Sequence, residues 1–171
     1  MSDWEEVHKR LQVALRGEIV LRQEILGNLN QQEYVLLIGD VELKEELNTQ
    51  NNKLVHSLKK LIQDRGYLTR RLFDILPSNT VGNTLDQILD PMQEIEAETL
   101  LLYQKVRALV EKIHQEHLRI KTLFEMIQKE GALDINNPAL HAEPLYGKGG
   151  KKLNLITIDY PEGNEPIRKA E

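Results

Sequence analysis

The chain contains no cysteine. Disulfide frameworks, thiolate zinc sites and cysteine nucleophiles are therefore excluded. Aromatic residues make up only 5% of it, while Leu, Glu, Gln and Lys are abundant, a mixture that favours long helices over sheets. No apolar run approaches the roughly 20 residues that span a bilayer, and the opening "MSDWEEVHKR" lacks the basic start and unbroken apolar stretch of a secretory signal. A cytoplasmic protein without stable membrane insertion is expected. The net charge of -5, with no basic cluster, argues against nucleic acid as partner. At 171 residues one domain with a real core is expected.

What is present is helical periodicity. "SDWE" at 2–5 has the form of a capping box, and from there Trp4, Val7, Leu11, Leu15, Ile19, Ile25, Leu26, Leu29 and Leu36 recur at helical spacing. A first helix over about 3–38 is predicted, weakened at Gly17 and Gly27. Gly39-Asp40 reads as a stop followed by a start, because Gly closes helices in the left-handed conformation and Asp accepts from the free amides of the next one. A second helix over 40–75 carries Leu47, Leu54, Leu58, Leu61, Leu68, Leu72 and Ile75 on one seam, with Asn51 and Arg65 in the same stripe. The turn-rich "PSNTVGNT" at 77–84 ends the hairpin. A helical turn at "LDQIL" follows, and Asp90-Pro91 predicts the start of a third long helix over 91–130. Its heptad row runs Met92, Ile95, Thr99, Leu102, Val106, Leu109, Ile113, Glu116, Ile120, Leu123, Ile127, and it should end at Gly131.

The fold class is therefore all-α: a long antiparallel helical hairpin plus a third long helix, forming a three-helix coiled-coil-like bundle over 1–130. Residues 131–171 hold five of the ten glycines and four of the six prolines, which rules out a continuous helix and predicts an irregular, flexible tail. Within it "KLNLITIDY" is β-prone but has no partner strand of its own.

Chemistry is sparse. Glu111, His114 and His117 in "EKIHQEH" resemble half of a carboxylate-bridged metal site, but a solvated face is the better reading and no metal is expected. "YGKGGKK" lacks the strand and the Gly-Lys-Ser/Thr of a phosphate loop. No nucleophile elbow or Ser/His/Asp grouping is visible. Neither an enzyme nor a cofactor is expected. By contrast, Leu100, Leu101, Val110, Leu118 and Phe124 lie outside the heptad row of the third helix, which gives it more apolar surface than one packing stripe requires. That surplus is either core or a face that receives a helix from another protein.

Residues 15–65 carry Glu18, the Ile25-Leu26 pair, Glu33 before the leucines, the Gly39-Asp40 corner, Leu43, Lys53-Leu54, Leu58, Leu61 and Arg65. In order and spacing this stretch resembles the N-terminal hairpin of the FlgN family of flagellar type III export chaperones, and the similarity continues loosely into "LYGKGG". The later third helix departs from the family, with "IHQEHLRIKTLFEMI" where members carry asparagines. The resemblance implies a cytosolic chaperone that binds C-terminal helical segments of the hook-filament junction proteins FlgK and FlgL, prevents premature assembly and delivers them to the membrane export gate. Leu109, Ile113, Ile120, Leu123, Phe124 and Ile127 are the expected client-binding face, and Leu145, Tyr146 and Gly147 the expected gate contact. The alternatives are a chaperone or adaptor of another secretion system and a structural coiled-coil subunit. A homo-oligomer is compatible with each.

Overall fold

A computed structural model of the chain describes residues 3–76, 82 and 84–134. They form an all-α bundle of α1 (Asp3–Ile38), α2 (Val41–Ile75), the single turn α3 (Leu85–Ile88) and α4 (Glu94–Asp134). Ser2 of the proposed capping box, most of "PSNTVGNT" and the whole of 135–171 lie outside the described residues.

The corner between α1 and α2 follows from its two residues. Gly39 takes φ +72, its amide donates to the Leu36 carbonyl and the Asp40 amide donates to that of Val35, so two otherwise free carbonyls of α1 are satisfied. The Asp40 carboxylate then accepts from the Leu43 amide at 3.0 Å and opens α2. Both roles match the sequence.

The start of α4 does not. The expected start at Asp90-Pro91 is displaced to Glu94, because the Asp90 carboxylate takes the Met92 amide in a local turn and the first helical carbonyl is that of Gln93, bonded to the Ala97 amide. Met92 consequently drops out of the seam and stands 89% exposed. Ile75, at the last residue of α2, is also exposed. At the other end α4 runs through Gly131 to Asp134, since glycine weakens a helix interior without stopping it.

The described chain divides into two compact units. One holds 3–23, 55–76 and 84–111; the other holds 24–54 and 112–134. In the first, a contiguous apolar cluster joins Val7, Leu11 and Leu15 of α1 to Leu68 and Leu72 of α2, Leu85 and Leu89 around α3, and Leu102, Tyr103 and Val106 of α4. Gly17 serves this packing. A Cβ there would stand 2.9 Å from Leu61 Cδ1, so the missing side chain lets α2 come close.

Most polar groups in the interior of this unit are met by partners, His8 Nε2 and Arg22 Nε being the exceptions. Gln12 donates to Thr99 Oγ1 (3.1 Å) and to the Ile95 carbonyl (3.2 Å), while Thr99 donates to that same carbonyl at 2.9 Å. His8 Nδ1 and Thr99 Oγ1 share a buried hydrogen bond of 2.9 Å, while His8 Nε2 has no partner. Deeper still, Glu18 accepts from Arg65 Nε at 2.5 Å and from Arg22 at 3.1 Å. All three are buried, so one carboxylate balances two guanidinium groups.

Two outcomes are expected. Removing one member of a buried ion cluster costs about 3–5 kcal/mol because it strands the other charges. Glu18→Gln should therefore lower the urea unfolding free energy by about that amount, and converting Glu18, Arg22 and Arg65 together to Leu, Met and Met should restore most of it; equal losses in both variants would show that the charges are not the cause. The second outcome concerns His8, whose pKa burial lowers from the ordinary 6.5. The unfolded chain then binds the extra proton first, so stability is full above pH 6.5 and falls as pH drops below it toward the folded-state pKa. Urea midpoints measured from pH 7.5 to 5 should show this loss, and His8→Gln should flatten the curve.

Candidate functional site

The second unit is built on the same helices with a different interior. Ile25, Leu29, Val35 and Leu36 of α1, Leu47 of α2 and Ile113, Ile120 and Phe124 of α4 are buried. They share that interior with Gln32, Lys44 and Asn51. Asn51 is fully buried with neither its oxygen nor its nitrogen hydrogen-bonded, and the Gln32 amide nitrogen and Lys44 Nζ likewise have no hydrogen-bond partner.

Lys44 is only 4% exposed, and its ammonium lies 4.5 Å from the centroid of the Phe124 ring. Burial lowers its pKa, with the neighbouring Glu45 opposing the shift. A cation over an aromatic face gains about 0.5–2 kcal/mol, whereas taking an ammonium out of water without hydrogen bonds costs several kcal/mol. The cost is the larger. Asn51 adds a second deficit, since a buried amide without partners costs about 1–3 kcal/mol.

At the margin of this interior, Arg119 of α4 forms a forked pair with Glu33 of α1, one arm at 3.0 Å, and reaches Glu116 at 3.3 Å. The hydrogen bond to Glu33 raises the pKa of Arg119, but the guanidinium is exposed, and an ion pair in water is screened by salt. Glu116 is half-buried, with Oε2 unpartnered. The second unit thus sets apolar contact and the exposed Arg119–Glu33 pair against a buried ammonium, a buried asparagine amide and a buried glutamine nitrogen without hydrogen-bond partners.

The expected client-binding residues distribute as follows. Leu109 falls in the first unit and is half-buried, whereas Ile113, Ile120, Leu123, Phe124 and Ile127 gather in the second. Ile113, Ile120 and Phe124 are buried and Leu123 and Ile127 half-buried, so this face of α4 is turned into the chain's own interior. Of the surplus apolar residues, Leu101 and Leu118 are exposed, Leu100 and Val110 half-buried and Phe124 buried. Leu145, Tyr146 and Gly147 lie outside the described residues. Among the described residues no group of three or more His, Asp or Glu side chains could hold a metal, and no helix is long and apolar enough to cross a membrane.

Lys44 and Gln32 escape a reading that counts only apolar positions. Yet the seam of α2, followed in steps of three and four back from Leu54 through Asn51 and Leu47, arrives at Lys44. Extending the row through its polar members would have found it. No family model, curated protein or solved structure matches the chain.

If the buried ammonium is a net burden, Lys44→Met should stabilise the protein. A gain of about 1–3 kcal/mol is expected in denaturant unfolding, with Asn51→Leu acting in the same direction. A loss in both would mean that these side chains are satisfied in solution.

Proposed function

We propose that the protein is a cytosolic export chaperone of the FlgN type, which shields C-terminal helical segments of hook-filament junction proteins and passes them to the flagellar export gate. The observation that supports this reading is the interior of the second unit. An apolar helix face, Ile113, Ile120, Leu123, Phe124 and Ile127, is held against groups that make its closure weak. A chaperone for assembly-competent helices needs such a face, covered when idle and yielded when a client helix offers a better fit. Binding of a disordered segment is offset by its ordering entropy, which keeps affinity moderate and release feasible. In this reading the protein carries no catalytic group or cofactor, and Leu145, Tyr146 and Gly147 provide the gate contact.

Titration with a C-terminal peptide of a hook-filament junction protein tests it. Saturable one-to-one binding is expected, and it should weaken at least tenfold, about 1.4 kcal/mol, on Leu123→Asp with Ile127→Asp while the helicity of the first unit persists. Tyr146→Ala should leave that titration unchanged and abolish binding to the gate protein. A self-assembled oligomer indifferent to the peptide would instead identify a structural coiled-coil subunit.

A further inference from the structure

The unpartnered groups of the second unit have a definite chemistry. Lys44 Nζ, the Gln32 amide nitrogen and Asn51 Nδ2 are three buried donors, and one of them carries a positive charge. Among the described residues of this unit, the buried acceptors without a partner are Asn51 Oδ1 and Glu116 Oε2. Glu116 does not answer Lys44. It stands two turns before Phe124, the residue under the ammonium, a separation of about 12 Å along α4. Glu45, next to Lys44 in sequence, is exposed and makes no bond to it. The interior therefore has an unmet demand for an anionic acceptor at Lys44, beside the Phe124 ring.

We infer that the seam between α2 and α4 in the second unit is the seat of a partner's amphipathic helix that bears a carboxylate on its otherwise apolar face, placed to meet Lys44 Nζ. This deepens the chaperone reading and rests on it, because it specifies which client helices are held. A carboxylate offers two oxygens and about four acceptor positions, enough to take more than one proton of the ammonium. An incoming helix that enters as the segment of α4 from 112 onward moves off the hairpin packs between the two, so it covers the apolar face of α4 as well as that of the hairpin. The interaction is charge-assisted and shielded from water, and it discriminates: a client with an aliphatic residue at that position leaves the ammonium stranded as it is in the closed protein.

The test uses the full chain and synthetic amphipathic peptides of about three heptads. The parent has leucine at every core-facing position, and each of three derivatives has glutamate at a different one. Fluorescence anisotropy should show one glutamate peptide binding the wild type about tenfold tighter than the parent. Lys44→Met, which should melt at or above the wild-type temperature, should erase that preference. Lys44→Glu should reverse it in favour of the matching lysine peptide. If the parent binds the wild type as tightly as every derivative and Lys44→Met makes no difference, the carboxylate requirement is wrong while helix capture stands. If neither these peptides nor the junction-protein peptide binds, the chaperone reading has failed and the inference falls with it.

Discussion

A polar side chain on the inner row of a helix must be met in its own layer by a partner from another helix, because leaving it dry and unpaired costs as much as burying a large aliphatic residue gains. Everything distinctive about this molecule follows from how its two units treat that constraint. The first unit largely satisfies it, His8 Nε2 and Arg22 Nε apart. Thr99 interrupts the apolar row of α4, and His8 and Gln12 of α1 arrive to bond it. Glu18 interrupts the row of α1, and Arg65 of α2 and Arg22 close on it. The second unit leaves Gln32, Lys44 and Asn51 unmatched.

Such an imbalance gives the two units different stabilities without any difference in secondary structure. The same helices contribute to both, and helical hydrogen bonding continues through α1, α2 and α4. What changes is the net free energy of closing the interior. Apolar contact around Ile120 and Phe124, together with the exposed Arg119–Glu33 pair, is set against a buried ammonium and a buried amide. Local opening draws on regions of this kind. An apolar face covered in the least costly region to open can be uncovered without unfolding the rest.

Much of this was legible in the sequence, and the rest was hidden for identifiable reasons. The helices, their apolar rows and the Gly39-Asp40 corner depend on local spacing and on the conformational preference of single residues, which sequence displays directly. Asn51 and Arg65 were visible as polar members of the seam. Their fates were not, because whether Arg65 finds Glu18 or Asn51 finds nothing depends on which layer of another helix lies opposite. The bond from His8 to Thr99 joins residues 91 positions apart. The start of α4 was misplaced because Asp90 could cap a helix or make a turn, and the difference lies in which amide its carboxylate takes. The face of α4 expected to receive clients is apolar, as its helical spacing displays. That it is turned inward is a tertiary fact with no local signal.

Native-state hydrogen exchange across increasing denaturant measures the central claim directly. Amides within 44–54 and 113–127 should exchange through a shared opening well below the free energy of global unfolding, while those within 7–15, 68–72 and 99–106 should exchange only when the whole protein unfolds. Merging of both sets into a single global isotherm from the lowest denaturant upward would contradict it, and the unpartnered groups of the second unit would then have no energetic consequence.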